Sequence, residues 1–218
     1  MLNYKKMPKV ELHLHLDGSV RPETAAKLLG IDITEARKNM IADDKCLDLN
    51  DYLTKFFIPG EVMQSKKNLE LISEELAADL EEDGVIYAEI RFAPLKHVFK
   101  GLSLDEVVES VLKGLAKKSL KTNLILCMMR GDKEEDNIKV VDLAERFLNR
   151  GVVALDLAGA ESIYKTIDYK NLFAYAKGKN IPFTIHAGEA DGKDSMKAAI
   201  DFGAKRLGHG VNAIFHKE

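Results

Sequence analysis

The chain is predicted to be an α/β protein of the (β/α)8-barrel type, of which it covers about six strands, and three observations predict it. Six segments rich in branched residues alternate with amphipathic ones, the pattern of strands and crossover helices in a mostly parallel sheet. The residues able to do chemistry stand where those strands end, as they do at the mouth of a barrel. They also come from several strands, whereas a doubly wound open sheet gathers them at one switch point.

The first strand is read over Val10–His15. The run Val-Glu-Leu-His-Leu-His-Leu-Asp over 10–17 alternates strictly, so an extended chain sets Glu11, His13, His15 and Asp17 on one face. Leu12, Leu14 and Leu16 take the other, where they can pack under helices. The gap before the second strand is too long for one crossover and is read as a helical insertion or lid over 20–83. Its last helix carries Leu69, Ile72, Leu76 and Leu80 at helical spacing and stops at Gly84. The second strand follows at Val85–Ala93. Ser103-Leu-Asp-Glu106 forms a capping box ahead of Val107, Val108, Val111, Leu112 and Leu115. Asn123–Met129 is the third strand; Ile138, Val141, Ala144 and Leu148 make the next helical stripe, before Gly151. The fourth strand is Val152–Ala158, the fifth Pro182–His186 and the sixth Arg206–Val211, with shorter helices at about 168–179 and 194–202. No linker rich in Gly, Pro or Ser and no internal repeat interrupts this, and 1–218 reads as one domain.

The composition, 46% hydrophobic and 31% charged, is that of an ordinary soluble globular protein. With a formal net charge of −3 and no basic run clear of neighbouring acids, nothing marks a nucleic-acid partner. The pairs Lys5-Lys6, Lys66-Lys67 and Lys117-Lys118 read as solvated faces. No apolar stretch reaches the roughly 20 residues of a membrane helix, and the N-terminus lacks an apolar signal core, so no membrane partner and a cytoplasmic location are expected. Cys46 and Cys127 are too far apart for a Cys-x-x-Cys motif and read as ordinary thiols.

Three histidine clusters carry the chemistry. A catalytic zinc takes three protein ligands and keeps a position for water, and His13, His15 and His186 can supply the three. Glu189, separated from His186 by Ala-Gly, can sit beside a metal without binding it, as suits a general acid or base. His209, bracketed by Gly208 and Gly210, can orient or deprotonate a water. His97 and His216 read as structural.

The stretches Pro8–Ser19 (PKVELHLHLDGS), His186–Glu189 (HAGE) and Arg206–Gly210 (RLGHG) resemble the signatures of the adenosine deaminase family of zinc-dependent amidohydrolases. Asp83–Pro94 and Val153–Gly159 resemble its second and fourth strands, so the likeness runs over essentially the whole chain. It implies one Zn2+ on His13, His15 and His186, with Glu189 protonating purine N1 and His209 assisting the attacking water. It further makes His15 and Asp17 substrate contacts, Asp17 near the ribose, and gives the backbone N–H of Gly159 to the purine ring. Leu53 and Phe56 resemble an apolar lid, or are ordinary helix packing. The implied reaction is hydrolytic deamination of adenosine, and of 2′-deoxyadenosine, to inosine and ammonia by a zinc-activated water, within purine salvage.

Two departures stand out. The family takes further aspartates from an eighth strand, beyond the sixth strand at which Glu218 follows, so a longer natural chain is expected. Ala160 stands where many relatives carry an acid after the glycine. Rival readings are a deaminase of adenine or another 6-aminopurine, a non-catalytic purine- and zinc-binding paralogue, and a metal-dependent phosphoesterase. The first is disfavoured because such relatives tend to read His-Leu-Glu-Gly where this chain has His-Leu-Asp17-Gly18; the last lacks a basic cluster near the histidines.

Overall fold

A computed structural model describes residues 4–215; His216, read above as structural, lies outside the described residues. The strands are β1 (Lys9–His15), β2 (Val85–Phe92), β3 (Lys121–Met129), β4 (Val152–Ala158), β5 (Ile185–Ala187) and β6 (Leu207–His209). Hydrogen-bonded neighbours follow chain order, β1-β2-β3-β4 in one sheet and β5-β6 in another. The chain divides into two compact units, Met1–Leu124 and Ile125–Glu218.

In the first unit β1 and β2 pair in parallel, with register shifts between Lys9 and Val10 and between Glu11 and Leu14. The second shift has a local cause: the Glu11 carboxylate accepts the backbone N–H of His13 at 2.8 Å, taking a donor that a regular ladder would use. The strand also ends sooner than the alternation suggests, because Asp17 lies in a 3-10 turn, Asp17–Ser19. Of the three leucines expected to pack under helices, Leu16 is fully buried while Leu12 is 37% exposed.

Between β1 and β2 lie five helices: α1 (Pro22–Leu29), α2 (Ile33–Met40), α3 (Leu49–Leu53), α4 (Phe57–Val62) and α5 (Lys66–Glu82). The chain leaves α5 through Gly84 at φ +79°, where a Cβ would stand 2.5 Å from the Lys5 carbonyl; only glycine fits that turn. Helix α6 (Leu104–Leu115) starts with both halves of the predicted capping box formed. It packs along α5, burying Leu69, Ile72 and Leu76 from one helix and Val107, Val108, Val111 and Leu115 from the other. Lys66 and Lys117 are exposed, as a solvated face requires, and also pair along the α5–α6 seam: Lys66 Nζ lies 2.6 Å from Glu106 and Lys117 Nζ 2.6 Å from Glu70.

In the second unit α7 (Glu134–Phe147), α8 (Lys170–Gly178) and α9 (Lys193–Phe202) alternate with the strands. The α7 core face is Val140, Val141, Leu143, Ala144 and Phe147, displaced from the expected stripe because Ile138 is half-buried and Leu148 caps the helix. Phe173 on α8 meets Phe183 at 4.7 Å and Phe202 on α9 at 5.7 Å between ring centroids. Lys179, after α8, reaches Asp142 at 3.3 Å and Glu145 at 2.5 Å on α7. Strand β5 is shorter than expected: Phe183 makes one isolated bridge to Leu155 of β4, and Pro182 enters through its carbonyl, which accepts the Leu155 N–H at 2.9 Å. Strand β6 stops at His209 because His209 (φ 64°) and Gly210 (φ 63°) both turn left-handed.

Candidate active site

The first unit carries the His-x-His pair. His13 and His15 are half-buried, side by side, with ring centroids 5.5 Å apart and planes tilted by 41°. The 3-10 turn that follows β1 brings Asp17 back towards His15, Oδ1 to Nδ1 at 4.0 Å. Burial raises the Asp17 carboxyl to a pKa of about 6, against the lowering effect of a hydrogen bond from the Gly18 N–H. Asp17 and Gly18 line a small cleft with Val20, Met40, Tyr52, Lys55, Phe56 and Pro59. Phe56 lies over Gly18, its ring edge 3.5 Å from where a Cβ would be. Leu53 is half-buried and is not among the residues lining that cleft.

The second unit carries the remaining groups. His186, on β5, is 4% exposed, and its Nδ1 lies 2.9 Å from Oδ2 of Asp156 on β4. A carboxylate beside one ring nitrogen leaves the other, Nε2, available as a ligand atom, and such a neighbour is what supports metal-binding histidines. The other oxygen of Asp156 accepts the Leu157 N–H at 2.8 Å. After β5 the chain turns through Gly188 and presents Glu189. The His209 ring lies 4.9 Å from that of His186, and its Nε2 is 3.4 Å from Oε2 of Glu189. Burial raises the pKa of Glu189; His186 lowers it, Glu161 adds to the rise and Arg130 opposes it. A carboxyl so placed holds a proton further toward neutrality than a free glutamate does. Gly159 ends β4 at φ +106°, with Met129 and Arg130 within 3.4–3.5 Å of the Cβ it lacks.

The structure thus gathers His13, His15, Asp17 and Phe56 in one unit and His186, Glu189 and His209 in the other. His97 takes no part: it is 1% exposed and stacks on Phe92 at 5.8 Å. The donor chemistry suits zinc, since the three expected ligands are imidazoles and the buried one has a carboxylate behind it.

Three residues that matter here were not singled out from the sequence. Asp156 is a fully buried carboxylate in a strand otherwise made of Val, Ala and Leu; a charge inside an apolar run was the available signal. Arg130, 5% exposed, donates to the His186 carbonyl at 2.7 Å and to Thr166 Oγ1 at 2.8 Å. Glu161, with no exposed surface, follows Gly159 closely, but nothing local indicates what it binds.

Comparison with known proteins gives a consistent result. The family model described as adenosine deaminase matches residues 8–218. An adenosine deaminase of Clostridium botulinum is 42% identical over 223 residues, covering 96% of this chain and 67% of its own length. Among solved structures, an adenine deaminase from Arthrobacter aurescens superposes with a TM-score of 0.84 at 25% identity, over 95% of this chain and 66% of that one. A zinc-bound amidohydrolase from Burkholderia ambifaria superposes with a TM-score of 0.87 at 20% identity, over 98% of this chain and 61% of that one, a likeness of fold. The chain therefore has the expected α/β barrel fold in part and spans about two thirds of the length of these relatives.

Proposed function

Because the chain belongs to the adenosine deaminase family, we propose that it serves the hydrolytic deamination of adenosine, and of 2′-deoxyadenosine, to inosine and ammonia, in cytoplasmic purine salvage. His13, His15 and His186 hold one zinc ion, with Asp156 steadying His186. Bound there, zinc supplies a Lewis acid that lowers the pKa of a coordinated water from 15.7 to about 7.

The chain's own groups do the rest. Glu189, whose pKa burial raises, gives its proton to purine N1, which turns C6 into an electrophile. His209 orients the attacking water and takes up its proton, and the Glu189–His209 contact lets the pair return protons to the departing amine. Asp17 binds the ribose, with Phe56 covering the cleft beside it, and the Gly159 N–H holds the ring. The observation that carries this reading is the Glu189–His209 pair at 3.4 Å, an acid with raised pKa beside a base, next to a carboxylate-backed histidine.

Ammonia release from adenosine with zinc supplied tests it. Turnover is expected in the wild-type chain and should fall at least about 100-fold in Glu189→Gln, a loss typical of a general acid. Deamination of adenine in preference to adenosine would overturn the nucleoside assignment in favour of the activity named for the Arthrobacter relative. Binding of inosine with no turnover would instead support a silent binder.

A further inference from the structure

The loop that presents Glu189 is tied to a single buried side chain. Glu161 Oε2 accepts the backbone N–H groups of Glu189 at 2.9 Å, Ala190 at 2.7 Å and Asp191 at 3.1 Å. Its Oε1 accepts the N–H of Gly188 at 2.8 Å and the hydroxyl of Ser195 at 2.5 Å. Four consecutive amides thus converge on one carboxylate. Burial works against its charge, yet the hydrogen bonds from Ser195, Ala190 and Gly188 outweigh it and hold the carboxyl below the ordinary glutamate range. Ser195 Oγ lies 2.6 Å from Thr166 Oγ1, and Thr166 accepts from Arg130, which also donates to the carbonyl of His186. One buried chain of hydrogen bonds therefore joins the backbone of His186 to the backbone of Glu189.

We infer that Glu161 is a positioning residue: by gathering the amides of Gly188 to Asp191 it fixes where the Glu189 carboxyl stands when it transfers its proton. Backbone amides tolerate no rotamer search, so the direction of the Glu189 Cα–Cβ bond is set by this carboxylate. The inference rests on the proton-donor role proposed for Glu189. It requires an acceptor of this length and charge at 161, whatever substrate the site takes.

Amide hydrogen exchange at residues 188–191 in the wild-type chain, Glu161→Gln, Glu161→Asp and Ser195→Ala tests it, alongside adenosine turnover on the same zinc-supplied preparations. In Glu161→Gln the four amides should exchange at least about tenfold faster, as loss of hydrogen bonds to a charged acceptor implies, while α7 amides stay protected. The kcat should fall at least about tenfold with little change in KM, because what is misplaced is a proton transfer made in the transition state and not the binding of the ribose by Asp17. Glu161→Asp keeps the charge but is one methylene short, and should not rescue. Unchanged exchange in Glu161→Gln, or faster exchange with unchanged kcat, overturns the inference. If Glu161→Gln loses protection throughout, Ser195→Ala decides: it removes one hydroxyl and should loosen the same four amides to a smaller degree, and no change there overturns the inference. A wild-type chain without turnover whose Glu161→Gln variant exchanges faster would remove the deaminase reading and support the anchoring.

Discussion

His97 shows how burial sets the state of a single residue. Neither ring nitrogen has a hydrogen-bond partner among the described residues, and burial, aided by Lys96, lowers its pKa to about 3. The folded chain keeps the imidazole neutral where the unfolded chain would protonate it. Stability from this group is therefore complete above the unfolded pKa near 6.5 and is lost as pH falls from there toward 3. Between those limits the wild-type unfolding free energy should decline by up to about 1.4 kcal/mol per pH unit from this residue. Urea unfolding as a function of pH, compared with His97→Leu, checks it: the variant's curve should lack that component, and parallel curves would disprove it. The same scale shows what could be read without the structure. His13, His15, His186, Glu189 and His209 could be proposed from sequence because spacing and strand ends set them apart. Asp156, Glu161 and Arg130 were not, since each acts through groups 27 to 56 residues away in sequence, a separation that no local pattern encodes.

Helices were legible where an end signal and a stripe coincided, as at Ser103 and α6. Their contact was not, and Gly114 is what makes it close. A Cβ there would sit 2.2 Å from the Glu70 carbonyl of α5 and 2.8 Å from Ser73 Cβ. On an exposed helix face Gly→Ala gains up to about 1 kcal/mol; here the overlap forces the helices apart, at a typical overpacking cost of about 1–3 kcal/mol. Gly114→Ala should therefore lower the unfolding midpoint in denaturant, and an unchanged or raised midpoint would contradict the close approach. The short strands were misjudged for a different reason. The apolar run from Pro182 promised a longer β5, and the run to Val211 a longer β6. Backbone conformation overrode the second: two successive left-handed residues end β6 at His209. A non-glycine residue held at φ 64° is costly, and it falls on the very histidine assigned to the water.

For the molecule as a whole, the lever is the zinc proposed for His13, His15 and His186. A ligand that binds only the folded chain adds about 2.7 kcal/mol at a free concentration 100 times its Kd. For a chain of this size each kcal/mol moves Tm by about 2–4 °C. Removing zinc with a chelator should thus lower Tm by roughly 5–10 °C, a difference absent in His186→Ala; an identical Tm with and without zinc would count against the three-histidine set. The fold class was legible at this scale because alternation of strand and helix survives local errors. The division into two compact units was not, because it depends on which segments touch rather than on what any segment is.

Lys179, which bridges α8 to two carboxylates of α7, has a consequence for the chain's reactivity. The hydrogen bond it donates to Glu145 raises its pKa above that of an ordinary lysine, so its nitrogen keeps its lone pair bound to a proton under conditions that free other amines. An acylating reagent reads only unprotonated amines. In a covalent labelling map of this protein, Lys179 is the dark position among its neighbours, and the moment it lights up marks α7 and α8 coming apart.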